Sequence, residues 1–198
     1  LLDLYTIKSE MSGRGAGIDR LRIAMVGDLR YGRTVHSLCR MLSLFDELQV
    51  VLVSPGELRM PADIVAQMRE SGVRVEESEE LEASIAHVDI VYSTRIQEER
   101  FSSQEEADLY RGRFRLNQSI YTHHCEPNTV IMHPLPRDSR DNARELDDDL
   151  NDNPNLAIFR QADNGVLVRM ALFALILDVV DQVDQHARDV NWFTERRF

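Results

Sequence analysis

Three segments of this chain set chemistry-bearing residues directly behind short apolar runs of strand length. They are Gly27-Asp28-Leu29-Arg30-Tyr31-Gly32-Arg33-Thr34-Val35-His36-Ser37, Ser93-Thr94-Arg95-Ile96-Gln97 and His133-Pro134-Leu135-Pro136-Arg137. The runs before them, Leu21 to Val26, Val88 to Tyr92 and Thr129 to Met132, are rich in β-branched residues. Each segment puts an arginine at a strand end, and in an open parallel sheet such ends line one edge, where ligands bind. A guanidinium is planar, forked and permanently charged, which fits a carboxylate or a phosphate. Three of them on one rim point to a small substrate carrying several negative charges.

Gly27 to Thr34 has the glycine spacing of a phosphate-binding loop, with Arg33 where a lysine should stand. A nucleoside triphosphatase also needs a strand that ends in a magnesium-binding acid. The apolar strands here end in Ser54, Ser93 and His133 instead. What survives is a strand-turn-helix geometry that aims backbone N–H groups and the positive helix end at whatever Arg33 binds. His36, one turn into that helix, reads as a packed or capping histidine. His123-His124-Cys125 is a weak metal candidate, because adjacent residues do not readily share one tetrahedral ion and no fourth ligand follows at usable spacing. Asp147-Asp148-Asp149 reads as a solvated helix face. The two prolines around Leu135 fix the backbone and hold its carbonyl outward, and a cis bond at Leu135-Pro136 is expected of such a turn. On its own the element reads equally well as an ordinary rigid loop.

The elements that must position these segments alternate. Strand candidates run over Leu21 to Val26, Val50 to Ser54, Val73 to Glu76, Val88 to Ser93, Val130 to Met132 and Leu156 to Phe159, with helical patterns between them. That rhythm predicts an α/β fold, a doubly wound, mostly parallel, Rossmann-like sheet with helices on both faces. Arg33 to Phe45 places Val35, Leu38, Leu42 and Phe45 on one helical face, and Pro61 opens a helix ending near Gly72. Asn164-Gly165 is expected to open a long apolar helix. Leu1 to Ile7 reads as a helix with no cap before it, the mark of a chain cut there or belonging to something larger. Ser9 to Asp19, with three glycines, reads as a mobile turn. The expected organisation is an interdomain helix and turn over 1–19, a binding domain over 20–180 and a helical tail over 181–198. Trp192, Phe193 and Phe198 in that tail, with Leu1, Leu2, Leu4 and Ile7, are expected to form contact surfaces.

Composition narrows the partners. The chain has 198 residues, 43% hydrophobic and 29% charged, enough for one good core. Its 34 acidic and 23 basic residues give a net charge of −11, a field that repels nucleic acid and anionic membrane surfaces. A local arginine cluster in a partly desolvated cleft still outweighs that screened field for a small anion. Lys8 is the only lysine, so Schiff-base chemistry and a lysine phosphate grip would have to come from the N-terminal segment. Cys39 and Cys125 make neither a disulfide framework nor a four-ligand metal site, which fits a reducing cytoplasm. No run approaches the roughly 18 apolar residues of a membrane span.

Taken together, Gly-Asp-Leu-Arg-Tyr-Gly-Arg-Thr-Val-His-Ser, Ser-Thr-Arg-Ile-Gln-Glu-Glu-Arg and His-Pro-Leu-Pro-Arg, in this order and spacing, resemble the aspartate carbamoyltransferases. Gln161-Ala162-Asp163-Asn164-Gly165 and Leu2-Asp3-Leu4-Tyr5-Thr6-Ile7 strengthen the likeness, the latter resembling the family's interdomain helix. Ornithine carbamoyltransferases carry a cysteine in place of Leu135 and an Asp-x-x-Ser-Met-Gly segment, and neither occurs here. The resemblance covers about residues 1 to 180 and only the second, aspartate-binding half of the family. The Ser-x-Arg-Thr-Arg loop and His-Pro-x-Gln segment of the carbamoyl phosphate half are absent.

The resemblance implies that Arg33 and Arg95 hold the two carboxylates of L-aspartate, with Gln97 in support, while Leu135 and Pro136 present backbone to the carbamoyl group of carbamoyl phosphate. It implies carbamoyl transfer to the aspartate amine in pyrimidine biosynthesis, without cofactor or metal, in a homotrimer when complete. It also implies that a chain lacking the first domain is inactive alone. The alternative is a non-catalytic paralogue or amino-acid-binding domain that retains the aspartate pocket. Two departures stand out. After Arg137 the family continues Val-Asn/Asp-Glu-Ile, whereas this chain reads Asp138-Ser139-Arg140-Asp141, so the organising glutamate is expected to be displaced or lost; and Asp163 replaces a glycine.

Overall fold

The computed structural model describes residues 1–97, 101, 103, 105, 108–110, 112–140 and 143–186. Five strands, β1 (Arg22–Val26), β2 (Gln49–Val53), β3 (Arg74–Ser78), β4 (Ile90–Ser93) and β5 (Val130–Met132), form one sheet in the order β3-β2-β1-β4-β5. Every pairing is parallel. The strand order reverses direction between β1 and β4, so their C-terminal ends flank the crevice where open α/β sheets take ligands. Val26 lies opposite both Val53 and Ser93, and Tyr92 opposite Met132, which aligns the ends of β1, β4 and β5.

The alternation of side chains along the strands builds two cores. Ile23 and Met25 face α2 (Arg33–Leu42) and α3 (Ala62–Glu70), packing with Leu38, Leu42, Ile64 and Met68. Ala24, Val26, Val51 and Ile131 face the other way, toward α4 (Leu81–Ser84), α5 (Gln118–His124) and the loops around Phe114 and Leu150. Each fully buried aliphatic chain of this kind contributes about 1.5–3 kcal/mol. Both sheet margins are occupied. β3 is exposed but charged, with Glu76 and Glu77 paired to Arg22 and Arg69 at 3.6 Å. The outer side of β5 is taken by one residue's worth of ladder, Ile131 N–H to Asn155 O at 2.9 Å and Ala157 N–H to Ile131 O at 2.8 Å.

That single bridge is all that forms of the strand expected over Leu156 to Phe159. The Gln161 N–H already closes a helical bond on Ala157 O at 2.7 Å, so α6 (Ile158–Ile176) begins six residues before the expected Asn164-Gly165 opening. Gly165 lies inside that helix, where a Cβ would come 3.9 Å from Leu2 Cδ1 of α1 (Leu2–Ser12). α1 also runs further than expected, through Ser12, because buried Ile7 and Met11 anchor its later turns in the core. Ile7 is therefore a core residue, while Leu1 is exposed. α6 shows solvent a row of apolar side chains, Val166, Leu167, Met170, Phe173 and Ile176, each more than half exposed. A short α7 (Val183–His186) ends the described part, and Trp192, Phe193 and Phe198 lie outside it. Among the described residues no helix is long and apolar enough to cross a membrane.

Candidate functional site

The loop after β1 and the loop after β4 press directly on each other. Gly27, with φ +112°, must be glycine, since a Cβ there would lie 2.3 Å from the carbonyl oxygen of Thr94. Thr94 N–H in turn donates to Val26 O at 2.9 Å. Asp28, fully buried, ties the two loops together: Oδ1 accepts the Tyr31 N–H at 2.9 Å and Oδ2 accepts the Gln97 N–H at 3.3 Å. Burial pushes its carboxyl pKa above the usual range, against the pull of those N–H groups. Leu29 is fixed at both backbone atoms, its N–H on Leu58 O at 3.1 Å and its carbonyl on the His36 ring Nε2 at 2.8 Å. His36 thus braces the loop, as a packed or capping histidine would.

Arg33 is the first residue of α2 and is exposed at the rim. Gly32 before it packs tightly, since a Cβ would lie 2.6 Å from Asp28 O. Arg95 and Gln97 are half-buried on the facing loop. One flank is aromatic: Tyr31 meets Phe101 edge-on at 6.3 Å, and Phe101 stacks on buried Tyr110 at 5.7 Å.

The third loop, after β5, is held differently. His133 is buried, and its N–H donates to Gln161 Oε1 at 3.0 Å. Its ring Nδ1 accepts the Leu135 N–H at 2.9 Å, which leaves the ring proton on Nε2, 2.7 Å from Glu145 Oε1. Leu135 has φ +54°, a region that costs a branched side chain energy and occurs at sites built for function; its bond to Pro136 is cis, as expected. The glutamate expected to be lost is supplied from further along the chain: the two oxygens of Glu145 share the Asp138 N–H at 3.2 and 3.3 Å. Asp163 is exposed on α6, so its side chain replaces glycine without disturbing the loop.

Two expectations change. Arg137 does not join the rim. Its guanidinium is spent on Asn151 Oδ1 at 3.0 Å, Asp147 O at 3.4 Å and Asp148 Oδ1 at 3.2 Å, bracing its own loop. Asp147 is not solvated; it is buried against Arg115, 2.7 Å away, while Asp148 and Asp149 are exposed. Among the described residues no three His, Cys, Asp or Glu gather as metal ligands. Burial pushes both thiols, Cys39 and Cys125, up to about 12, which leaves them poor nucleophiles. Chemically, the arrangement offers guanidinium and amide groups suited to an anionic molecule, on loops braced by these bonds.

Sequence reasoning picked out Arg33, Arg95, Gln97, Leu135 and Pro136 but not the residues that hold them: Asp28, Gln161, Glu145 and Asp3. Asp28 lay inside a motif already singled out. Gln161 was visible in its five-residue segment but without a role, and Glu145 stood beyond the changed segment that follows Arg137.

A family described as aspartate/ornithine carbamoyltransferase, Asp/Orn binding domain, matches residues 19–176. The aspartate carbamoyltransferase catalytic subunit of Cellvibrio japonicus is 69% identical over 197 residues, 100% of this chain and 58% of its own length. That of Saccharophagus degradans is 71% identical over 198 residues, covering 59% of its length. The chain thus spans under two thirds of the curated relatives it matches. The catalytic subunit of M. jannaschii aspartate transcarbamoylase superposes with a TM-score of 0.76 at 41% identity, over 89% of this chain and 54% of that one. The Trypanosoma cruzi aspartate transcarbamoylase, in complex with aspartate and phosphate, gives 0.73 at 31% identity, over 87% and 51%. On fold, sequence and the loops at the sheet edge alike, the chain belongs to the aspartate/ornithine carbamoyltransferase family, whose aspartate/ornithine-binding domain it carries.

Proposed function

We propose that this chain is the aspartate-binding portion of an aspartate carbamoyltransferase, working in pyrimidine biosynthesis. What supports the reading is the junction of the β1 and β4 loops at the switch point, locked by Asp28, since these are the loops that carry Arg33, Arg95 and Gln97. Arg33 and Arg95 hold the two carboxylates of L-aspartate by forked, charge-assisted bonds, and Gln97 supports the second. Leu135 and Pro136 turn backbone carbonyls toward the carbamoyl group. The neutral aspartate amine attacks the carbamoyl carbon and the C–N bond forms; the tetrahedral intermediate then collapses, the C–O bond breaking with its electron pair leaving on phosphate, which takes up the proton that the amine nitrogen sheds. Holding two reactants together supplies most of the rate, so no side-chain nucleophile is required.

On the same reading residues 1–19 serve as the interdomain helix and turn, 20–180 as the binding domain and 181–198 as a helical tail. The complete enzyme is a cytoplasmic homotrimer, and carbamoyl phosphate is gripped mainly by a partner domain. The test joins this chain to the part of the Cellvibrio japonicus subunit that its match does not cover. Arg33→Ala or Arg95→Ala in that chimera should cost about 2–5 kcal/mol in kcat/KM for aspartate, as for a charge pair left half-made. An unchanged kcat and KM in either variant would overturn those assignments. A folded parent chimera that binds aspartate but forms no carbamoyl aspartate would point to the non-catalytic alternative.

A further inference from the structure

A chain of buried and part-buried hydrogen bonds runs from the first helix to the backbone of Leu135, although its members lie up to 158 positions apart in sequence. It begins at Asp3 of α1, whose Oδ2 accepts the Tyr92 hydroxyl at 3.0 Å and whose Oδ1 accepts the Gln161 side-chain N–H at 2.7 Å. A carboxylate only accepts, so the Gln161 amide must turn its NH2 toward Asp3. Its oxygen then has one remaining direction, the His133 N–H at 3.0 Å. The His133 ring Nδ1 completes the run by accepting the Leu135 N–H at 2.9 Å. Gln161 is 2% exposed and His133 1%, so water cannot readily substitute for either partner.

We infer that Asp3 and Gln161 are positioning residues for carbamoyl transfer: Asp3 decides which way the Gln161 amide faces, and Gln161 fixes the His133 peptide from which the Leu135–Pro136 turn hangs. This rests on the role proposed above for that turn. Leu135 holds φ +54°, a conformation the surroundings must enforce. Gln161 bonds neither of the loops bearing Arg33 and Arg95, and Asp3 meets them only through the Tyr92 hydroxyl, which also engages Thr34, so changing Gln161 should lower kcat and spare the KM for aspartate.

Polarity makes the relay testable. Gln161→Glu sets a second carboxylate against Asp3 and breaks the run. The double variant Asp3→Asn with Gln161→Glu reverses the polarity and restores it: the new amide donates to the introduced carboxylate and accepts the Tyr92 hydroxyl, and the carboxylate still accepts the His133 N–H. Two readouts are taken. Amide hydrogen exchange at His133 and Leu135, followed by NMR in the 198-residue chain, reports the relay itself; kcat and KM for aspartate in the chimera report its effect on transfer.

Gln161→Glu should speed exchange at both amides about tenfold or more and lower kcat about 10- to 100-fold, with KM changed by less than about threefold. The double variant should return both readouts to within about fivefold of the parent, which a loss of packing alone would not do. Should the single variant not fold, a double variant that folds with near-parent exchange and kcat supports the relay, because the same glutamate is then tolerated only with its reversed partner. A single variant indistinguishable from the parent, a double variant no better than the single, or a defect confined to KM would overturn the inference. If the parent chimera forms no carbamoyl aspartate, the functional reading fails and the catalytic consequence with it, while exchange at the two amides still decides the relay.

Discussion

The loops after β1 and β5 stand at the same edge of one sheet and are stiffened by opposite means. The first is held mostly by what lies in or beside its own segment: a glycine with φ +112°, an aspartate three residues before the N–H it accepts, and a histidine reaching back to Leu29 O. The second borrows its supports, Gln161 from α6, Glu145 from seven residues beyond the N–H it accepts and, through Gln161, Asp3 from α1. Locally held loops write themselves into a short motif. Loops held at a distance do not, and Glu145 shows how a carboxylate outside the motif can brace such a loop.

Three substitutions separate these two kinds of support. The largest effect is expected of Gly27→Ala, where the added carbon meets backbone 2.3 Å away and the φ is wrong for alanine; urea unfolding should show a loss of about 3 kcal/mol or more. A loss below about 1 kcal/mol would mean that the β1–β4 junction yields more easily than its geometry says. Glu145→Ala should come next, at about 2–3 kcal/mol, because it removes the carboxylate 2.7 Å from the buried His133 Nε2 and takes from the Asp138 N–H its acceptor. If the β5 loop is supported independently, aspartate affinity in the chimera should hold while kcat falls.

Asp28→Asn should cost least, about 1–2 kcal/mol, since an amide can accept only one of the two N–H groups that the carboxylate takes. Its pH dependence carries a sign. Burial raises the folded-state pKa of Asp28 above its ordinary 3.8, so its titration contributes stability that is complete below 3.8 and is lost as pH rises through the higher folded value. The margin of the parent over Asp28→Asn should therefore shrink as pH is raised through the carboxylate range. A margin that widens instead would show the two N–H groups outweighing desolvation.

Much of this was legible in the residues. Apolar runs gave five of six strands: four are buried parallel strands, which need a short β-branched stretch and little else, and the fifth, exposed β3, showed itself by Val73 and Val75. The sixth failed at Leu156, where one bridging residue satisfies the β5 edge and the chain turns at once into α6; a run of apolar letters does not say which ladder partners remain. Arg33 and Arg95 were singled out from strand-end position, and the structure has the first exposed at the start of α2 and the second half-buried on the facing loop. Arg137 shares that position, yet its charge is consumed by Asn151 and Asp148, acceptors that only the folded loop brings within reach. Asp147 was misread for the same reason: its partner Arg115 is 32 residues away.

One feature of the sheet bears on how this molecule behaves when crowded or warmed. With carboxylates and guanidiniums along one outermost strand and residues 155–157 already filling the ladder on the other, neither flank of the described sheet invites a stranger's backbone to extend it. The greasy row along α6 does invite company, but side chain to side chain and without register. Any association of copies through that row is therefore expected to be amorphous and reversible, with no edge for a fibre to grow from.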